Sequence, residues 1–188
     1  MMPSIIPRIT GIAIMAIAST VASAATFHLS SPQTPGGHFL PAQTLSASYG
    51  FGCHGGNLSP EFQWSHPPAG TKSFALNIFD KDAPTGMGWI QWQVVNIPGN
   101  QLTLPTGFSH QPQNTANGIL ETRTDYGVAG YAGPCPPSGQ LHHYVVTLTA
   151  LKVAQLPGIS AASTPAMVGY MVNANALGKT QLTITAQR

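Results

Sequence analysis

Short segments of β character, separated by stretches rich in glycine and proline, recur along this chain and constrain its fold more than any other feature. The 188 residues include 20 Gly and 17 Pro, which interrupt regular elements and form turns. We therefore predict one mainly β domain with long loops. The predicted strands cover residues 27–30, 73–79, 89–97, 143–151 and 181–186.

One segment near the C-terminus has the pattern of a helix instead. Thr164 is a suitable N-cap, Pro165 suits the first helical position, and Gly178 is a typical C-terminal stop. A single helix packed on a sheet is therefore predicted. Three residues would share one helical face and are expected to face the core: Met167, Met171 and Ala174.

The first 24 residues have the three-part form of a secretory signal peptide. Arg8 is the one basic residue, an uncharged apolar run follows to about Ala18, and residues 22–24 have small side chains. The apolar run is shorter than the roughly 20 residues that a membrane-spanning helix needs. We predict cleavage after Ala24, a mature domain over residues 25–188, and a periplasmic or secreted location. A retained membrane anchor is the alternative.

Two cysteines in an exported chain predict one disulfide bond. Cys53 and Cys135 are the two cysteines, 82 residues apart, and oxidising compartments favour their pairing. The competing interpretation is a metal site formed with the neighbouring histidines, His54 on one side and His142 with His143 on the other. Neither group has the CxxC or HxxxH spacing of familiar zinc sites, so we predict no metal.

The low charge of the chain excludes several kinds of partner. Charged residues make up 6% of the sequence, compared with roughly 25% in an average soluble protein. The formal net charge is +2, and Lys and Arg form no cluster. These features argue against binding to nucleic acid or to an anionic membrane surface, and we predict no integral membrane segment after signal removal.

Two of the five acidic residues, Asp80 and Asp82, stand together before the apolar segment "GWIQW". In the preceding strand "SFALNIFD", Asp80 falls on the same face as the apolar residues by the two-residue period. In "LHHYVVTLTAL", His142 and Tyr144 fall on the more apolar face and His143 on the other. The same rule groups three residues of "WIQWQVVNI" on one face that suits a polar pocket wall: Trp89, Gln91 and Gln93.

Inward-facing carboxylate, imidazole and phenol groups need partners, because an unpaired buried polar group costs roughly 1 to 3 kcal/mol. Asp80, His142 and Tyr144 could satisfy one another as a structural network, or they could form a ligand site. The pattern of residues leaves both interpretations open.

Three segments, "DKDAP", "GWIQWQVVNIP" and "GPCPPSGQLHHY", resemble in order and spacing those of the phosphatidylethanolamine-binding proteins. The similarity is greatest to the bacterial, Raf-kinase-inhibitor-like branch. "GCHGGNLSPEFQWSHPPAGTKSFAL" resembles the region of that branch before the acidic motif, and "TRTDYGVAGYAGPCPP" resembles its central loop. The resemblance covers the chain from about Phe27 to its C-terminus.

This resemblance implies a β-sandwich-like fold with a large antiparallel sheet and a few short helices. It also implies a small pocket at one end of the sheet that takes an anion such as phosphate or a phospholipid head group. Carried over position by position, the ligand-binding residues would be Asp80, Asp82, Pro84, Trp89, Gln91, Gly133, Pro134, Pro136, His142 and Tyr144.

The chain departs from the family pattern at three positions, and each departure affects charge. Lys81 replaces a proline, Gln91 replaces a histidine, and His143 replaces an arginine. A glutamine amide can donate a hydrogen bond but cannot become cationic. The ligand charge and the pH dependence of binding are therefore not carried over from the family.

The expected function is that of a non-catalytic binding or regulatory protein, without a cofactor and with a possible protein partner. In our hypothesis Asp80 shares a proton with a bound phosphate, while His142, Tyr144 and the Gly133 amide donate to it. Binding should then strengthen as the pH falls towards 6. The alternatives are a hydrolase that uses Asp80, Asp82 and His142, although no GxSxG motif is present, and a structural module without a ligand.

Overall fold

A computed structural model describes residues 26–109, 111 and 117–188. The predicted signal peptide lies outside these residues. In the described part, the strands are β1 (His28–Ser30), β2 (Phe62–Ser65), β3 (Ser73–Asp80), β4 (Trp89–Pro98), β5 (Thr103–Leu104), β6 (Leu120–Glu121), β7 (Leu141–Leu151) and β8 (Ala176–Gln187), and the α-helix is α1 (Pro165–Asn175). Three 3₁₀ helices cover Pro35–Gly37, Pro41–Gln43 and Ala47–Tyr49.

The strands form two antiparallel sheets. The smaller sheet has the order β1-β2-β5, and the larger has the order β6-β4-β3-β7-β8. All five predicted strands are present, and β2, β5 and β6 are additional to them. The prediction of a mainly β fold with a large antiparallel sheet is therefore confirmed.

The core lies between the two sheets. In β3 and β7, side chains of one parity point into it, as the two-residue alternation predicts. Phe62 of the smaller sheet and Trp92 of the larger one are both fully buried, with ring centroids 6.4 Å apart. The face of the larger sheet that points away from this core carries a second apolar cluster beneath α1, which includes Ala75 and Val168.

The alternation fails in β4, because β-bulges interrupt its pairing with β3. Ile78 lies opposite Trp92 and Phe79 lies opposite Ile90, so Gln91 is an extra residue on the β4 side. Residues directly opposite each other share a face. The two-residue period predicts that Ile90 lies on the face of Trp92, and the bulge places it on the opposite face instead.

Gln93 is also separated from the wall predicted for it. It lies opposite Asn77, whereas Trp89 lies opposite Asp80, and these two rungs of the sheet face opposite sides. Gln93 consequently points away from the core and towards α1. Its side-chain oxygen accepts from the Thr122 hydroxyl at 3.4 Å.

The predicted helix is confirmed at its start and corrected at its end. The Thr164 hydroxyl accepts a hydrogen bond from the Met167 amide at 3.4 Å, and Pro165 begins the helix. The helix ends at Asn175, and Gly178 lies in β8 opposite Ala150, because pairing with β7 extends that strand. No helix in the described part of the chain is long and apolar enough to cross a membrane.

The face of α1 that packs on the sheet is also different from the predicted one. Val168 is the buried residue of the helix, and Met171 and Val172 pack beside it. Met167 and Ala174 are exposed. The inward stripe is therefore centred on valine, so the prediction that Met167 and Ala174 face the core is wrong.

Candidate functional site

A small cavity of about 200 Å³ lies at one end of the larger sheet. It forms where β3 ends, β4 begins and β7 begins, so that antiparallel neighbours bring distant parts of the chain to one edge. Loops that contain the disulfide complete its wall. The lining residues are Phe51, Asp80, Ala83, Pro84, Thr85, Trp89, Gln91, Tyr126, Cys135, Pro137 and His142.

Asp80 and His142 form a buried pair in the wall of this cavity. The distance from His142 Nδ1 to Asp80 Oδ2 is 2.8 Å. The other carboxylate oxygen accepts from the backbone amide of Asp82 at 3.0 Å, which closes the turn after β3. Both oxygens of the Asp80 carboxylate are therefore hydrogen-bonded, as a buried carboxylate requires.

The second ring nitrogen of His142 contacts a residue that is easily displaced. Its Nε2 lies 3.1 Å from Oε1 of Gln140, and Gln140 is exposed. A glutamine amide can accept from a protonated nitrogen or, when rotated, donate to an unprotonated one. Gln140 can therefore satisfy His142 in either protonation state, and it can be replaced by a ligand.

Tyr144 lies behind the pair and does not line the cavity. It is fully buried, and its ring packs edge-on against Phe39 at 5.4 Å between centroids. Burial, and after it the charge of Asp80, raises the pKa of Tyr144 well above its usual range, so the phenol stays neutral. Although Asp80 is close enough to exert this effect, no group in the described residues meets hydrogen-bond geometry with the hydroxyl.

Gln91, one of the pocket residues assigned by resemblance, holds the proline-rich loop in place. Its side chain is only 3% exposed. With the amide oriented by its surroundings, the nitrogen donates to the carbonyls of Ala132 at 2.7 Å and Gly133 at 3.2 Å. It also lies 3.3 Å from the hydroxyl of Tyr126, whose pKa burial raises well above its usual range. The bulge in β4 turns Gln91 towards this loop.

Two residues assigned to the pocket by resemblance have other partners. The Asp82 carboxylate turns outward and accepts from both the backbone amide and the ring Nδ1 of His143, each at 2.7 Å. The Gly133 amide donates to the Asn57 side chain at 2.8 Å, so it is not available as a donor to phosphate. Gly133 itself is required by packing, since a Cβ would lie 2.1 Å from the carbonyl oxygen of Gln43.

Pro134 and Pro136 line a second cavity, on the other side of the disulfide. Cys135, which stands between them in the sequence, faces the first cavity, and Cys53 faces the second. The predicted disulfide between these cysteines is present, with Cα atoms 5.9 Å apart. Both cysteines are thus unavailable as metal ligands, and no group of His, Cys, Asp or Glu suited to a metal ion occurs in the described ranges.

The sequence predicted Trp89 in the pocket wall but not its two aromatic neighbours, Phe51 and Tyr126. Trp89 and Tyr126 pack edge to face with centroids 5.2 Å apart, and Phe51 contacts Tyr126 at 5.5 Å. Tyr126 lies in "TDYG" and Phe51 in "YGFGC", both in loops, where periodicity carries no signal. The nearby cysteines were the one available clue, since the disulfide brings both loops to the end of the sheet.

Comparison with known proteins agrees with the fold and the motifs. The sequence model of the family described as "Phosphatidylethanolamine-binding protein" matches residues 33–187. The Escherichia coli protein YbcL is 41% identical over 172 residues, which cover 90% of this chain and 92% of YbcL. YbhB, also of Escherichia coli, is 42% identical over 134 residues, covering 71% of this chain and 84% of YbhB.

Two further matches bear on structure and location. The crystal structure of YbcL, described as a member of the mammalian family, superposes with a TM-score of 0.80 at 40% identity, covering 87% of this chain and 99% of YbcL. LppC of Mycobacterium tuberculosis, which is named as a lipoprotein, is 36% identical over 82% of this chain and 69% of its own length. The family match, the length of the aligned relatives and the shared fold agree, and the chain belongs to the phosphatidylethanolamine-binding protein family.

Proposed function

We propose that this protein is an exported, non-catalytic binding protein whose Asp80 cavity takes a phosphorylated head group or a similar small anion. The observation that carries the proposal is the His142 imidazole in the cavity wall. Asp80 fixes it through Nδ1, while Nε2 contacts an exposed side chain that a ligand can replace. A volume of about 200 Å³ is below the roughly 300 Å³ at which sites for drug-sized molecules begin, so the ligand is small.

The balance of charge in the cavity determines how an anion is accommodated. Among the residues that the structure describes, no Lys or Arg lines the cavity, and the one carboxylate in its wall belongs to Asp80. Protonation of His142 makes the pair neutral and gives the ligand a charged donor. A phosphate monoester also gains a proton near pH 6, which reduces its repulsion from the Asp80 carboxylate. Binding should therefore strengthen as the pH falls towards that value.

The absence of a catalytic function is proposed from the state of the cavity's nucleophiles. The Thr85 hydroxyl donates to the Gly88 carbonyl at 2.6 Å and accepts from the Met87 amide. Tyr126 has a raised pKa, and Cys135 is in the disulfide. Both carboxylate oxygens of Asp80 already accept hydrogen bonds. No described lining residue therefore presents a free, activated oxygen or sulfur to a substrate beside His142, as covalent catalysis requires.

Export is proposed from the N-terminal sequence, the disulfide and the likeness to a lipoprotein. Expression of the full chain in a bacterium, followed by cell fractionation and intact-mass measurement, tests this. The expected product is extracytoplasmic and begins at Ala25. Retention of residues 1–24 on a protein that stays in the cytoplasm would contradict export.

The binding proposal is tested by calorimetric titration with phosphoethanolamine between pH 5.5 and 8. His142→Ala should weaken binding about tenfold or more, because it removes a charge-assisted donor. The matched control is His143→Ala, which removes the neighbouring, outward imidazole and should leave the affinity within about twofold. Equal affinities in the two variants, or a binding constant independent of pH, would contradict the proposal.

The proposal that the protein is not an enzyme has a separate test. Prolonged incubation with phosphoethanolamine and with an aryl phosphate should release no phosphate above the background rate. Release that is lost in His142→Ala would replace the binding proposal with the hydrolase alternative.

A further inference from the structure

The second cavity, on the far side of the disulfide from Asp80, is the larger of the two. Its volume is about 410 Å³, within the range of roughly 300 to 1,000 Å³ that is typical of small-molecule sites. Apolar rings form much of its wall, from Phe39, Pro41, Pro134 and Pro136. Unlike the Asp80 cavity, it has a permanent positive charge in its wall, on Arg188.

Contacts with neutral atoms hold the Arg188 guanidinium in position. Nη1 donates to the carbonyl oxygen of Phe51 at 2.9 Å and lies 3.6 Å from the sulfur of each disulfide cysteine. The backbone is fixed as well, since the main-chain oxygen of Arg188 accepts from the Gly139 amide at 2.6 Å. The fork of the guanidinium is thus positioned before any ligand arrives, which lowers the entropic cost of binding.

No acidic side chain pairs with this arginine among the residues that the structure describes, where both ion pairs are between Asp and His. The five acidic side chains of the protein are all engaged elsewhere. Their partners are Gln63 for Glu61, His142 for Asp80, His143 for Asp82, Trp92 and Ser109 for Glu121, and the Ile90 amide for Asp125.

We infer that the Arg188 cavity is a second ligand site, which binds an oxyanion attached to a short apolar group, such as an aryl or alkyl phosphate. The guanidinium supplies paired donors with the geometry of a phosphate or carboxylate group. His54, exposed on the same wall, provides another nitrogen. The rings of Phe39 and Pro134 suit the apolar part of the ligand. This inference is independent of the function proposed for the Asp80 cavity.

Titration with phenyl phosphate, followed by amide NMR, tests the inference. The ligand should shift the resonances of Gly52, His54 and Gly55, and Arg188→Gln should weaken this response about tenfold or more. Arg188→Lys keeps the charge without the fork and should recover part of the affinity. The matched control is Arg123→Gln, which removes another exposed arginine that lines neither cavity and should leave binding unchanged.

Two comparison ligands separate charge from apolar contact. Benzyl alcohol, which lacks the charge, should bind at least about tenfold more weakly than phenyl phosphate, and inorganic phosphate, which lacks the ring, should also bind more weakly. Thermal unfolding of Arg188→Gln verifies that the exposed substitution leaves the fold intact.

The location of the response distinguishes the two sites. Shifts confined to residues around Asp80, lost in His142→Ala and retained in Arg188→Gln, would overturn the second site and support the first. Equal affinity of wild type and Arg188→Gln would overturn it as well. Shifts around Gly52 that persist in His142→Ala would establish the second site whether or not the Asp80 cavity binds a ligand.

Discussion

Two Asp–His pairs lie side by side at one end of the larger sheet, and they differ in little except burial. The Asp80–His142 pair has a contact of 2.8 Å, and the Asp82–His143 pair has one of 2.7 Å. The side chains of the first pair are 5% and 3% exposed, whereas those of the second are 34% and 40% exposed. Asp80 is the last residue of β3 and Asp82 lies in the turn after it, while both histidines lie at the start of β7.

Strand alternation alone can therefore give one chemical pair two roles. His142 and His143 are consecutive, so they project from opposite faces of β7. The inward pair is removed from water. In the protein interior its charges interact strongly, and each needs a partner. The outward pair is screened by solvent and contributes little.

Loss of the disulfide should have the largest effect. Replacing Cys53 and Cys135 together by Ser should lower the free energy of unfolding by roughly 4 kcal/mol, because the bond closes a loop of 82 residues. Cys135 lines the cavity of the buried pair, so the NMR signals of His142 should move while those of His143 stay in place. Urea unfolding and histidine ring spectra measure both effects. Equal shifts of the two rings would show that the pairs are not independent.

Removal of the carboxylate should lower the free energy of unfolding much more in the buried pair than in the exposed one. Asp80→Asn should lower the free energy of unfolding by roughly 3 kcal/mol, because it leaves a buried imidazole without its charged partner. Asp82→Asn, the matched change in the exposed pair, should cost less than about 1 kcal/mol. Urea unfolding at pH 7 measures both. The contrast fails if the two variants are equally stable.

This contrast could be predicted from sequence because β3 and β7 pair without a bulge along their whole shared length. The alternation of apolar residues then carries to the strand ends, and it places Asp80, His142 and Tyr144 inward. The N-terminus of α1 was equally predictable, because an N-cap followed by proline is a local signal. The resemblance to the family supplied the sheet and the location of the cavity.

The remainder depends on contacts between distant segments. The bulge at Gln91 reverses the faces of the residues before it relative to those after it, and no local sequence pattern predicts the bulge. Gly178 was predicted to stop the helix, but pairing with β7 places it in a strand. Phe51 and Tyr126 lie on loops that reach the Asp80 cavity. Pro134 and Pro136 line the second cavity, on the other side of the disulfide.

Loss of the Gln91 amide, which lies in the wall of the buried pair's cavity, should have an intermediate effect on stability. Gln91→Leu removes the donor to the Ala132 and Gly133 carbonyls and should cost roughly 2 kcal/mol in the free energy of unfolding. Gln91→His should recover part of this loss because its ring can still donate once. The control is Gln63→Leu, on an exposed strand position, which should change stability little. A stability of Gln91→Leu equal to that of wild type would remove the structural role assigned to this amide.

The exposed pair should contribute least to stability, and the direction in which this contribution changes with pH follows from the pKa of Asp82. The side-chain hydrogen bond from His143, followed by its backbone amide and the charge of Lys81, lowers the pKa of Asp82 below its usual 3.8. A lowered folded-state pKa gives a stabilisation that is complete above the unfolded pKa and is lost as the pH falls through the folded one. The small difference in melting temperature between wild type and Asp82→Asn should therefore shrink as the pH falls from about 5 towards 2, since Asp82 is ionised in both the folded and the unfolded state at pH 5 and becomes protonated below it. High salt should also reduce it, because the pair is exposed to solvent. A difference that grows on acidification would mean that Asp82 is stabilised in its protonated form, which the two donors from His143 argue against.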